Sequence, residues 1–157
     1  MKKTSAIRVL EQLKIPYETI DYKYDSNDLN VHKIAQENGL ELSIIYKTLV
    51  VKGDKHGICV AIIPGHHQLS FKMLAKLSGN KKMSLLPTEQ LERYSGYVRG
   101  GCSPLGLRKP LVCYLSDEAR KHSLIYVNAG KKGSLIGIQP DDLQKASGAV
   151  IAAISQG

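Results

Sequence analysis

Between residues 47 and 64 two β-branched runs, KTLVVKG and ICVAIIP, meet through the turn-forming stretch GDKHG. Branching at Cβ restricts χ1 and favours extended backbone, and the glycines, with the aspartate between them, suit a reversal. The spacing predicts an antiparallel hairpin, and its apolar content places that hairpin in the core. One residue disturbs the pattern. From Leu42 to Val51 the only ionisable group besides the phenol of Tyr46 is Lys47. An ammonium withdrawn from water needs a partner, a polar cavity or an exposed tip, because desolvation disfavours its charged form.

The rest of the chain supplies elements to pack around the hairpin. In residues 4–14, Ala6, Val9, Leu10 and Leu13 fall on one helical face, with Thr4 or Ser5 available as cap. A strand is expected over 17–25 after Pro16, then a short helix over 30–39 capped by Asn30 and stopped by Gly39. Ser43 is placed to cap one helical turn before the hairpin. Residues 69–79 read as a helix with Ser70 as cap, Leu69 and Leu74 as a hydrophobic staple, and Phe71, Leu74 and Leu77 on the packing face. A strand over 81–86 and a helix over 87–96 capped by Thr88 follow. Strands are then expected over 109–116, 124–130 and 134–138, a helix over 139–148 entered at Pro140 and left at Gly148, and a buried strand over 149–154. Helices and strands mix without a regular βαβ repeat. This predicts an α+β fold with a mixed sheet, in one domain over residues 1–157.

The sequence carries 22 Lys and Arg against 14 Asp and Glu, a formal net charge of +8, with clusters at Lys2-Lys3, Lys81-Lys82, Arg108-Lys109 and Lys131-Lys132. Such a surface attracts polyanions such as RNA before any sequence is read, and it equally suits a protein kept soluble by charge. The three cysteines, Cys59, Cys102 and Cys113, are odd in number and widely spaced, which argues for reduced thiols rather than a disulfide framework. The first 14 residues lack the apolar core of a secretory signal, and no run is long enough to span a bilayer, so a cytoplasmic protein without membrane contact is expected. His66 and His67 adjoin in a turn without paired zinc-ligand spacing; neither a metal nor another cofactor is expected.

One loop stands out. SGYVRGGCSPLGLRKP, residues 95–110, holds four glycines and two prolines. Consecutive glycines allow close backbone approach, so successive amides can be aimed at one oxygen of a carbonyl or phosphate. Taken alone it also reads as a tight surface turn, and its spacing matches neither a Walker loop nor a dinucleotide fingerprint.

Together, IYKTLVV around Lys47, SGYVRGGCSPLG at 95–106, IYVNAGKKG at 125–133 and the amino-terminal DYKYD resemble the YbaK/EbsC family of trans-acting aminoacyl-tRNA editing proteins over nearly the whole chain, and its Cys-tRNA(Pro) deacylase branch in particular. The resemblance implies a mixed, partly closed β-sheet flanked by helices, with a pocket for the aminoacyl end of tRNA. It implies that Lys47 belongs to the catalytic site, together with Gly101, Cys102 and Ser103 in the loop whose amides face the substrate carbonyl. Tyr22, Thr48, Gly100 and Pro104 match substrate-binding positions, and Asn30, Asn128 and Gly130 are counted with them.

Where relatives often read SxGKRG, this chain has Asn128, Ala129, Gly130, Lys131, Lys132 and Gly133, and a longer side chain at 128 reshapes the pocket. Lys131 and Lys132 are either a solvated tip or nucleic-acid contacts. Cys102 reads as a small packing side chain rather than a nucleophile, while Cys59 and Cys113 lie in apolar strands. The implied partners are aminoacyl-tRNA and prolyl-tRNA synthetase. The implied reaction is cleavage of mischarged Cys-tRNA(Pro), and also Cys-tRNA(Cys), through the substrate's own thiol. A deacylase for alanine or serine, or a tRNA- or synthetase-binding module without activity, are the alternatives.

Overall fold

The computed structural model describes residues 3–24 and 31–157. Its elements run α1 (Ser5–Gln12), β1 (Glu18–Asp21), α2 (Val31–Asn38), a 3-10 turn (Leu42–Ile44), β2 (Tyr46–Gly53), β3 (Ile58–Pro64), β4 (Gln68–Leu69), α3 (Phe71–Ser78), β5 (Met83–Leu85), α4 (Thr88–Ser95), β6 (Val112–Ser116), a second 3-10 turn (Asp117–Lys121), β7 (Ile125–Asn128), β8 (Ser134–Ile138), α5 (Pro140–Ser147), β9 (Val150–Ala152) and β10 (Ser155–Gln156). The larger sheet has the order β5-β2-β3-β6-β9, and a second sheet has the order β1-β8-β7. β4 and β10 form a separate two-stranded ribbon.

The expected hairpin is the centre of the larger sheet: β2 and β3 pair antiparallel from Tyr46 opposite Pro64 to Lys52 opposite Ile58. β3 then pairs parallel with β6, and β6 parallel with β9, so the sheet is mixed. An isolated parallel bridge between Ile45 and Tyr126 joins the entry of β2 to the second sheet, giving a partly closed arrangement rather than a barrel.

Why β2 and β3 are apolar almost throughout follows from this position. Val50, Val60, Ile62 and Leu115 face a large cluster shared with α1, the second sheet and α5. Val51, Cys59, Ala61, Ile63 and Tyr114 face a smaller cluster under Leu74 of α3. The strands are buried on both faces, and full burial of each such aliphatic side chain contributes about 1.5–3 kcal/mol.

Several local expectations are corrected. Ile7 replaces Leu13 on the buried face of α1, and Leu13 is 45% exposed, because α1 ends at Gln12. On α3 only Leu74 and Ala75 are buried; Phe71 and Leu77 lie outside the contact with the sheet. Thr88 is the first helical residue of α4 rather than its cap, since Pro87 already supplies the extended entry and no side chain caps the helix. Ser43 falls inside its turn, with Glu41 in the cap position. The buried strand expected over 149–154 is instead β9, a three-residue edge strand with Val150 48% exposed. Thr4 does cap α1, accepting from the Ile7 amide at 3.2 Å, and Ser70 caps α3 through the Met73 amide at 3.2 Å. Asn30 lies outside the described residues. Among the described residues no helix is long and apolar enough to cross a membrane.

Candidate active site

A cavity of about 230 Å3 opens where β2 enters the larger sheet. Its position follows from strand lengths. β5 pairs with β2 only from Val51 to Gly53, which leaves the edge of residues 46–49 uncovered. The Leu86 amide donates to the Val50 carbonyl at 2.9 Å, so β alternation turns the backbone groups of Thr48 toward the same open edge. Residues from both faces of β2, Tyr46, Lys47, Thr48 and Leu49, therefore line the cavity, with Tyr22, Val31, Ile34, Ile45, Arg99, Gly100, Cys102, Asn128 and Leu135.

Lys47 is half-buried opposite Ile63. Burial alone lowers its pKa from the ordinary lysine value, and its ammonium makes no ion pair or hydrogen bond among the described residues. Two hydroxyls on the same wall, those of Tyr46 and Thr48, are buried with no hydrogen-bond partner among the described residues. Leaving such a group unsatisfied costs about 1–3 kcal/mol, and neither oxygen is open to the cavity. Tyr22 is half-buried, its amide donates to the Gly133 carbonyl at 2.8 Å, and burial raises its phenol pKa.

The opposite wall is made by two loops locked together. The Gly101 amide donates to the Val98 carbonyl at 2.9 Å, closing a turn whose third residue, Gly100, has φ 82°. That angle suits glycine and strains other residues. Asn128 fastens this turn to the 128–133 loop: its Nδ2 donates to the Gly100 carbonyl at 3.1 Å, and its Oδ1 accepts from the Gly130 amide at 2.6 Å and the Lys131 amide at 3.1 Å. Gly101 packs so closely that a Cβ there would lie 2.9 Å from the Lys132 nitrogen.

The structure thus brings Lys47, Tyr22, Thr48, Gly100, Cys102 and Asn128 to one cavity. Gly101, Ser103, Pro104, Gly130, Lys131 and Lys132 do not line it. The Gly101 amide is already engaged, which corrects the expectation that it faces substrate. Ser103 is fully buried and its Oγ accepts from the Leu105 amide at 3.2 Å, so it shapes the loop from behind. Pro104 is buried in the same segment. Asn128 has its oxygen occupied by two amides and acts on the cavity by positioning its walls. Tyr46 and Arg99 escape a reading of the sequence; Tyr46 has the look of a core aromatic, and only the adjacency of Arg99 to Gly100-Gly101 gives any signal.

All three cysteines are unpaired and buried, and burial pushes each thiol up to about 11. A thiol so shifted is overwhelmingly protonated at neutral pH, which removes the nucleophilic form. Replacing Cys102 with alanine is accordingly expected to keep turnover at this cavity within about threefold under single-turnover conditions; a loss of a hundredfold would make Cys102 a nucleophile. His67 is tied by Nδ1 to the Ser155 hydroxyl at 2.9 Å. No group of three or more His, Cys, Asp or Glu side chains is gathered among the described residues.

The family model of the aminoacyl-tRNA editing domain matches residues 27–146, a span that contains β2, both loops and Asn128. The chain belongs to the aminoacyl-tRNA editing domain family. Within that family the editing domain is 42% identical to the "Putative Cys-tRNA(Pro)/Cys-tRNA(Cys) deacylase EbsC" of Enterococcus faecalis, over 98% of this chain and 94% of that protein. It is also 27% identical to a proline–tRNA ligase of Thermosipho melanesiensis, over 68% of this chain but only 18% of that enzyme, so the likeness is to a segment of a longer protein. A solved structure described as "a putative trans-editing enzyme for prolyl tRNA synthetase" superposes on the editing domain with a TM-score of 0.83 over the full length of both chains at 24% identity, a likeness of fold.

Proposed function

We propose that this chain, as one editing domain over residues 1–157, deacylates Cys-tRNA(Pro), and Cys-tRNA(Cys) as well, acting in trans on errors of prolyl-tRNA synthetase. The observation that carries the reading is that Lys47, whose ammonium has no ion-pair or hydrogen-bond partner among the described residues, lines the same cavity as Gly100 and Cys102. The relationship to EbsC supplies the substrate class.

The cavity needs to supply no nucleophile if the substrate does. The thiolate of the esterified cysteine attacks its own carbonyl carbon, the bond from that carbon to the terminal ribose oxygen breaks, and a four-membered thiolactone leaves. The proton lost by the thiol is balanced by the one gained by the ribose oxygen, so tRNA departs with its hydroxyl restored. Charge develops on the carbonyl oxygen during attack. Lys47 and the amides of Gly100 and Cys102 are the donors for it, the Gly101 amide being occupied by Val98. Donors held ready in this way contribute about 10²–10³ in rate. Tyr22 and Thr48 bind the aminoacyl group beside them, and Lys131 and Lys132 contact tRNA. We place the protein in the cytoplasm, where its three unpaired thiols stay reduced.

The test is a panel of aminoacyl-tRNAs. Cys-tRNA(Pro) is expected to be cleaved with thiolactone as first product, whereas Ser-tRNA, which lacks the thiol, is expected to be cleaved at least about a hundredfold more slowly. Release of alanine or serine in preference to cysteine would overturn the assignment.

A further inference from the structure

The two loops that wall the active cavity have a second side. There they form a separate cavity of about 420 Å3, lined by Lys3, Arg8 and Lys131 and, among the described residues, by no carboxylate. Its construction is specific. The Thr4 hydroxyl donates to the Ala129 carbonyl at 2.5 Å, fixing the start of α1 against the 128–133 loop. Tyr97, whose hydroxyl donates to the Leu105 carbonyl at 2.5 Å, fills the floor beside Gly130, where a Cβ would lie 2.8 Å from the ring. Lys3 is paired with Glu11 at 2.6 Å, but neither Arg8 nor Lys131 makes an ion pair among the described residues. Arg108 extends the positive surface, its side chain running past Gly96 at the rim.

We infer that this cavity binds backbone phosphate of the substrate's RNA, with Arg8 and Lys131 as the contacting cations. The inference rests on the deacylase reading for the identity of the RNA and extends it to a site that the chemistry does not use. The Arg8 guanidinium and the Lys131 ammonium, without ion-pair partners in a concavity free of carboxylates among the described residues, select a polyanion by charge alone. Asn128 stands between the two cavities, with its Nδ2 on Gly100 of one and its Oδ1 on the amides of Gly130 and Lys131 of the other. On this inference a nucleotide chain whose terminal ester enters the first cavity runs over that wall to the cations on its far side. The site is one of positioning and affinity for RNA, and it reads no base.

The experiment compares wild type with Arg8→Ala and Arg8→Glu on two substrates: full-length Cys-tRNA at a series of salt concentrations, and cysteinyl adenosine ester, which has no phosphate. For Cys-tRNA, Arg8→Glu is expected to raise KM about tenfold with kcat within twofold. Arg8→Ala is expected to make the log–log salt dependence shallower by about 0.7, the loss of one phosphate contact to a single strand. Turnover of the nucleoside ester is expected to be unchanged. An unaltered KM and salt slope, or an equal loss on the nucleoside ester, would overturn the inference. Thermal melts verify folding, and Arg8→Gln replaces any variant that melts early. Should wild type cleave neither ester, the deacylase reading fails on its own account. The cavity is then judged by tRNA retardation on gels, where equal affinity of wild type and Arg8→Glu rejects it.

Discussion

Replacing Lys47 with alanine is expected to lower kcat for Cys-tRNA(Pro) by about 10²–10³, equivalent to about 2.7–4 kcal/mol of transition-state stabilisation, while tRNA affinity stays within threefold. The split between kcat and binding follows from position. Lys47 lines the cavity with Gly100, whereas Arg8 and Lys131, proposed to meet RNA, line the cavity on the other side of that wall. Lys47→Met should lose as much, because it keeps the apolar stem and removes the charge. Stability should not fall with activity, since burial works against the ammonium and no ion pair among the described residues compensates it. The pH profile gives an independent sign. Burial lowers the Lys47 pKa, so the ammonium is lost at a pH below the ordinary lysine value of about 10.4, while a substrate thiol ionises near its ordinary value of about 8.5. Enzymatic rate, corrected for spontaneous ester hydrolysis, should climb as the thiol ionises and decline as Lys47 deprotonates. The declining limb should be absent in Lys47→Met. A declining limb kept by that variant, or full kcat without the ammonium, would exclude Lys47 from catalysis.

How much of this could be read from residues alone depends on whether the deciding contact is local. The β2–β3 hairpin, the Thr4 and Ser70 caps and the glycine ends of α3 and α5 were legible because chain neighbours set them. Phe71 and Leu77 share a helical periodicity with Leu74, yet only Leu74 meets the sheet, and no local rule says how much of a helix face a neighbour covers. At the site, the family motifs pointed to Lys47, Tyr22, Thr48 and the glycine loop. They did not distinguish Gly100, which lines the cavity, from Gly101, whose amide is bound within its own turn. That distinction depends on a single φ angle and on contact with residues about thirty positions later. Asn128 shows the same limit: the sequence announces an amide near the pocket, and the fold decides that its oxygen is taken up by Gly130 and Lys131. The basic cavity was illegible for the same reason, since Arg8 and Lys131 come from opposite ends of the chain.

Gly101→Ala is expected to cost about a hundredfold in kcat although its side chain would touch no substrate. A Cβ at this position would lie 2.9 Å from the Lys132 nitrogen and 3.1 Å from the Cα and carbonyl carbon of Lys131, all of them backbone atoms that no rotamer change can move aside. The loops must separate, and Asn128, which holds Gly100 on one side and the amides of Gly130 and Lys131 on the other, cannot keep all three hydrogen bonds as they do. The amides of Gly100 and Cys102 should then lose the alignment proposed for them with the carbonyl oxygen, and displacement by about 1 Å is enough for a loss of that size. Overpacking should also lower stability by about 1–3 kcal/mol, so the activity loss has to be separated from unfolding. Gly148→Ala does this. Gly148 ends α5 at φ 70°, and a Cβ added there would meet nothing within 4 Å, so alanine is strained by about 1–2 kcal/mol far from the cavity. Both variants should melt earlier than wild type, and only Gly101→Ala should lose kcat when assayed well below either melting temperature. Equal turnover in the two would mean that the apposition of the loops serves the fold and not the reaction.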